Sequence, residues 1–294
     1  MHRSLKVAAI ATDVTPDFSQ NLRNAELLAM NQRRKADVIV LPELFATGFP
    51  ADRDLLRQYA DTADRHPVAD WMRSLAERTN AAVCGSVATV ADDGSLRNRC
   101  LFVEPGGETS FYDKRHLFRL SREYKSFTAG TAKSPVIRFR GCNIALAVCY
   151  DLRFPTWMRN NAHSPYDVII VPAAWPQERQ LAWSTLLAAR AIENQAFIVG
   201  ANRAGTDNFG TYDAMSMAFD PEGAPVGTYD PASQSLLVNM EMDALDALRT
   251  KFPVLEDADC KSLPTLLPPL PSSLSTPPPP PSPPPPPTPP LPPP

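Results

Sequence analysis

Three polar side chains stand at the ends of strand-like runs. Glu43 follows "DVIVLP", Cys149 ends "NIALAV", and Arg203 follows "FIVGAN". In α/β sheets ligands bind beyond the carboxyl ends of strands, so residues over a hundred positions apart can converge there. Lys114, in "FYDKRHLF", and Glu123, in "LSREYKSFTAG", join the set. A thiol is a nucleophile, a carboxylate a proton acceptor, and an ammonium a counter-charge for an oxyanion. Together they suit attack on a carbonyl carbon. Taken singly, each has an ordinary reading. Cys149 would be strand-end packing, Glu43 a solvated loop residue, and Lys114 and Glu123 surface charges. Cys142, seven positions before Cys149, would face the other side of a shared strand and reads as packing.

The elements that must position these residues alternate in period. "LKVAAIA" (5–11), "DVIVLP" (37–42), "DVIIVP" (167–172) and "AFIVGANR" (196–203) are short apolar runs that read as buried strands. Helical spacing covers 18–36, 68–80, 178–195 and 243–252. Asp93-Gly94 joins 81–90 and 95–105 as a strand pair, and 135–150 reads as two strands meeting at Gly141. Segment 212–240 is strand-rich, with turns at Pro221-Glu222-Gly223 and Asp230-Pro231. Apolar strands separated by helices imply a covered sheet, and the strand pairs add antiparallel pairing. The expected class is α/β with mixed sheets.

Composition narrows the partners. The 294 residues carry a net charge of −3, with no basic cluster to draw nucleic acid. No apolar run approaches the ~18 residues of a membrane span, and the N-terminal run is too short for a secretory leader. Five cysteines without a CxxC pair suggest neither a disulfide framework nor zinc. His2, His66, His116 and His163 form no ligand set, so no metal or cofactor is called for. The reading is a soluble, cytoplasmic protein. Of 33 prolines, 19 fall within residues 262–294. This divides the chain into a globular 1–261 and a tail, 262–294, that is disordered or polyproline II. The tail reads as an appendage, or as a ligand for a polyproline-binding protein; its single flanking base, Lys261, suits a profilin-like groove better than an SH3 domain.

The blocks "LPELFATGF", "YDKRHLF" and "VCYDLRFP", in that order, resemble the three signature blocks of the nitrilase, or carbon–nitrogen hydrolase, superfamily. The resemblance spans nearly all of residues 5–260. It also takes in "ARAIENQAFIVGANRAG" and "FPVLEDAD", and is nearest the ω-amidase branch. It implies Glu43 as general base, Lys114 as oxyanion-stabilising cation, Cys149 as nucleophile and Glu123 as the residue that positions the lysine. It also implies a four-layer αββα sandwich that commonly dimerises through helices. The backbone N–H of Tyr150 is the expected second oxyanion donor. The implied substrates are ω-amides of 2-oxo acids, 2-oxoglutaramate and 2-oxosuccinamate. The same triad also suits a nitrile, an N-carbamoyl amine or deaminated glutathione.

An α-carboxylate on the substrate needs a cation. Arg153 and Arg203 are candidates, because a guanidinium fork matches a carboxylate. Arg153 has an alternative, an ion pair with Asp151. Trp175 and Phe45 are candidates for an apolar wall. Two positions depart from the relatives' pattern: Ala214, where glycine is usual, and Ala174, where asparagine is usual.

Overall fold

The computed structural model describes residues 3–48 and 53–258; the proline-rich tail and Cys260 lie outside the described residues. The larger sheet opens with β1 (Ser4–Ile10), β2 (Val38–Val40), β3 (Ala82–Val90), β4 (Leu96–Val103) and β5 (Thr109–Asp113). The smaller sheet takes β6 (Ile137–Phe139), β7 (Cys142–Leu146), β8 (Val168–Ala173) and β9 (Phe197–Asn202). After the hairpin β10 (Ala204–Asp207) and β11 (Gly210–Asp213) it adds β12 (Met217–Phe219). The chain then returns to the first sheet with β13 (Thr228–Asp230) and β14 (Ser235–Glu241). The orders are β13-β14-β1-β2-β3-β4-β5 and β12-β9-β8-β7-β6. β1–β2–β3 and β7–β8–β9 are parallel, and the outer pairings antiparallel.

Strand parity builds the layers. Leu5, Val7 and Ala9 of β1, with Val38 and Val40 of β2, face Ile144, Val168 and Ile170 of the smaller sheet in one core. Their neighbours Ala8, Ile10 and Ile39 point the other way, onto α1 (Phe18–Met30) and α3 (Pro67–Thr79), through Ala25, Ala29, Met72 and Leu75. Because both faces are covered, these strands are apolar throughout rather than alternating. On the far side Trp183, Leu187 and Ala191 of α5 (Gln180–Asn194) pack on β9 and β12. The result is the αββα sandwich. Each fully buried aliphatic side chain contributes roughly 1.5–3 kcal/mol.

Local signals account for the boundaries. Asp17 caps α1 by accepting from the N–H of Gln20 at 2.9 Å. The helix ends at Met30 rather than 36, and Arg34 beyond it takes a left-handed φ of 64°. Arg140 (φ 48°) and Gly141 (φ 79°) make the tight turn between β6 and β7. β7 stops at Leu146, so Cys142 and Cys149 do not share a strand; Cys142 is buried in the intersheet core. Four elements had no expectation behind them: the edge strand β5, the hairpin strand β10, and the short helices α2 (Arg53–Tyr59) and α4 (Pro155–Met158).

The core also holds titratable groups. Burial pushes the phenols of Tyr112 and Tyr166 and the thiol of Cys100 above their ordinary values, and takes Cys142 up to about 11. In the unfolded chain thiols ionise near 8.5 and phenols near 10. The folded state therefore keeps protons that the unfolded state loses. Stability is full below about pH 8.5 and falls as pH rises through the range 9–11. Thermal melts from pH 7 to 11 should show this decline; a flat profile to pH 11 contradicts it.

Candidate active site

Three elements deliver the acting groups. Glu43 sits two residues past Leu41, whose N–H donates to Cys84 O at 2.7 Å, so the turn after β2 stays bound to β3. Leu44, at φ 47°, donates its N–H to Ser86 Oγ at 3.0 Å. Lys114 directly follows β5, and its N–H donates to Asn98 O at 2.9 Å. Cys149 opens a single helical turn, Cys149–Arg153, two residues beyond the last β7 contact, Ala147 N–H to Ile170 O at 3.0 Å. Its φ of 43° is left-handed, a conformation that costs a non-glycine residue about 1 kcal/mol and is concentrated at functional sites.

The charged groups meet under the surface. Lys114 Nζ donates to Glu43 Oε1 at 2.7 Å and to both Glu123 oxygens, at 3.0 and 2.9 Å. All three side chains are buried. Two backbone donors complete the carboxylates: Ala174 N–H to Glu43 Oε2 at 3.1 Å, and Phe118 N–H to Glu123 Oε2 at 2.6 Å. Burial alone would lower the Lys114 ammonium, but Glu123 and Glu43 outweigh it and hold it above its ordinary value. Burial, with the like charge of Glu43, lifts the Glu123 carboxyl against the pull of Lys114.

Cys149 Sγ donates to Ala174 O at 3.8 Å. Burial, and then the charge of the neighbouring Glu43 carboxylate, push this thiol well above its ordinary value, with Lys114 opposing. The resting pair is a neutral thiol beside a carboxylate. That arrangement favours proton transfer during attack over a preformed thiolate.

Buried Asp151 ties the cysteine and lysine segments together. It accepts from Val148 N–H (3.0 Å), Tyr112 OH (2.9 Å) and His116 N–H (2.9 Å), and it meets His116 Nδ1 at 2.8 Å. His116 in turn stacks on Phe154 with ring centroids 3.7 Å apart. The alternative of an Arg153–Asp151 ion pair is therefore corrected. Asp151 is saturated by other donors, whereas Arg153 is exposed, with its guanidinium 5.0 Å from the Trp175 ring centroid. The thiol borders a small pocket of about 30 Å³. Cys149, Tyr150, Arg153 and Trp175 line it together with Phe118 and Arg179.

Of the three groups only Cys149 lines the pocket; Glu43 and Lys114 are buried. Residues 6–249 match the carbon-nitrogen hydrolase family. The chain is a carbon–nitrogen hydrolase. It is 45% identical over 226 residues to Omega-amidase YafV of Escherichia coli (strain K12), covering 76% of this chain and 84% of that protein. It is 29% identical over 242 residues to 2-oxoglutaramate amidase of Bacillus subtilis (strain 168), covering 81% and 91%. The solved structure of XC1258 from Xanthomonas campestris, a CN-hydrolase superfamily protein with an arsenic adduct in its active site, superposes with a TM-score of 0.81 at 32% identity. That match covers 87% of this chain and 98% of XC1258.

Two expected wall or anchor residues of this hydrolase lie elsewhere. Phe45 is fully buried, packed on Gly85 and 5.6 Å from the Trp71 ring; a Cβ at Gly85 would come within 3.1 Å of the Phe45 ring. It is core rather than pocket wall. Arg203 is 1% exposed and donates to Asp207 Oδ2 (2.7 Å), Val14 O (2.6 Å) and Ala204 O (3.1 Å). These bonds turn it away from the pocket, so it is a structural arginine. Ala174 serves the site through its backbone, and Ala214 does hold the left-handed φ, 61°, that glycine would adopt freely.

Asn98 carried no expectation, nor did Phe118 and Arg179 on the pocket. Asn98 Nδ2 donates to Glu43 Oε1 (2.8 Å) and to Glu123 Oε1 (3.1 Å), bridging the two carboxylates beside the lysine. The signal was parity: in "LRNRC" the buried positions are Leu96, Asn98 and Cys100, so the asparagine falls on the inward face. Hydrogen bonds to charged groups contribute about 1.5–3 kcal/mol each. Asn98→Ala should therefore lower kcat by roughly 10–100-fold with little change in KM, and depress the melting temperature. Wild-type kcat in Asn98→Ala would show that the bridge is irrelevant to the site.

Proposed function

We propose that the chain is an ω-amidase that hydrolyses the terminal amide of short 2-oxo acids, 2-oxoglutaramate and 2-oxosuccinamate, to the acid and ammonia. The observation that carries this reading is the Cys149 thiol, held beside the buried Glu43–Lys114 pair at a pocket that presents the guanidinium of Arg153, which has no acidic partner among the described residues. The likeness to YafV and to 2-oxoglutaramate amidase supports it.

In this reading Sγ attacks the amide carbon while its proton passes to Glu43. The oxyanion is opposed by the Lys114 ammonium and by the N–H of Tyr150, which lies in the first turn of a helix, where N–H groups lack an internal acceptor. Glu43 returns the proton to the departing nitrogen, the C–N bond breaks, and ammonia leaves a thioester. Glu43 next takes a proton from water, which attacks the thioester; the acid leaves and the thiol is restored. Glu123 holds Lys114 in place. Arg153 receives the α-carboxylate, and the Trp175 ring beneath it bounds the methylene chain.

A substrate panel scored by ammonia release tests the assignment. 2-Oxoglutaramate and 2-oxosuccinamate should lead it. Turnover confined to a nitrile, an N-carbamoyl amine or deaminated glutathione would keep the triad and reject the substrate class.

The reading extends to assembly and location. The outer face of α5 exposes Leu181 (81%) and Ile192 (51%), an apolar stripe that supports a homodimer through this helix. Light scattering that finds only monomer contradicts it. Among the described residues no helix is long and apolar enough to cross a membrane, and the four described cysteines are free thiols, which suits the cytoplasm. A polyproline-binding partner for residues 262–294 rests on composition. Pull-downs with and without the tail test it, and identical partners reject it.

A further inference from the structure

The pocket over Cys149 holds a second cation with no assigned task. Arg179 lines it together with Arg153. Each guanidinium lies against an aromatic ring: Arg153 at 5.0 Å from the Trp175 centroid, Arg179 at 5.4 Å from that of Phe118. Among the described residues neither has a carboxylate or hydrogen-bond partner for its side chain. This contrasts with Arg203, Arg190 and Arg249, whose guanidinium groups are bound to the protein's own acceptors. Two unpaired cations on one small pocket repel each other and focus positive potential into it. An anion bound there removes the repulsion. Flat aromatic faces leave the edges of both forks free to donate.

The backbone of Arg179 is built in separately. Its carbonyl accepts from Trp175 Nε1 at 2.9 Å, and its N–H donates to Pro176 O at 3.0 Å. The turn thus fixes Arg179 relative to the Trp175 ring that lies under Arg153, and its side chain is not needed for that fold.

We propose that Arg179 is a specificity-determining residue. With Arg153 it forms a two-guanidinium site for the carboxylate and 2-oxo oxygens at the far end of the substrate, and so selects amides that carry an anionic 2-oxo acid end. This rests on the ω-amidase reading above. The test compares wild type, Arg179→Met and Arg179→Lys on 2-oxoglutaramate and on valeramide, a neutral amide of the same chain length. In Arg179→Met the KM for 2-oxoglutaramate should rise roughly 10–100-fold with kcat changed less than about threefold. Its kcat/KM for valeramide should be unchanged. Arg179→Lys, which keeps the charge but not the fork, should fall between. Melting temperatures identify a folding defect, and in that case the lysine variant alone decides. An unaltered KM for 2-oxoglutaramate, or equal losses on both amides, overturns the role of Arg179 while leaving the ω-amidase reading intact. Wild-type enzyme that hydrolyses valeramide but not 2-oxoglutaramate overturns the ω-amidase reading and this inference with it.

Discussion

Cys149→Ala is expected to lower amide turnover by roughly 10⁴-fold or more and to leave the fold in place. The rate loss follows from removing the proposed nucleophile; what then remains is binding and oxyanion stabilisation acting on water. The stability argument is independent. Sγ makes one long contact, 3.8 Å to Ala174 O, and its burial holds a neutral thiol in a strained backbone position. Losing it should shift stability by no more than about 1 kcal/mol. Cys142→Ala is the comparison, because that thiol lies in the intersheet core and not at the pocket. It should turn over at close to the wild-type rate. A Cys149→Ala protein that melts normally and still turns over amide would remove the proposed nucleophile.

Lys114→Met should be costly twice over. Lys114 is the cation shared by Glu43 and Glu123, with Nζ 2.7–3.0 Å from three of their oxygens. Deleting it leaves two buried carboxylates facing each other, bridged only by the Asn98 amide. Breaking a buried ion pair from one side costs about 3–5 kcal/mol. Losing a donor to the oxyanion costs a further 10²–10³ or so in kcat. A double variant separates the two effects. Lys114→Met with Glu123→Met removes the stranded charge, so denaturant midpoints should recover much of the loss while kcat stays low. Recovery of activity along with stability would mean that the lysine acts only as a structural counter-ion.

Two of the site groups were legible for a physical reason. Glu43 and Cys149 each follow an apolar strand, and a layered α/β fold gathers such positions at one edge, whereas Lys114 follows β5 and its role came from the resemblance. The αββα layering itself came from the resemblance. What the residues gave was the continuous apolar runs at β2, β8 and β9, each covered on both faces. Side-chain direction was not legible. Arg203 also follows a strand, yet Asp207 and the Val14 carbonyl capture it, partners whose proximity depends on tertiary packing. Phe45 lies two residues from Glu43, but the space above Gly85 draws it into the core. β5 escaped notice because its edge-strand sequence, "TSFYD", is largely polar and exposed. Arg179 was hidden because its role depends on a pocket rather than on a motif.

The central claim is that Cys149 carries the acyl group of an ω-amide. Rapid acid quench of wild-type enzyme turning over 2-oxoglutaramate, followed by peptide mass spectrometry, reads this directly. The account predicts a thioester on the peptide containing Cys149, with the mass of the substrate less ammonia, and no such adduct in Cys149→Ala. Ammonia release without any adduct on that peptide, or the same adduct in Cys149→Ala, would contradict it.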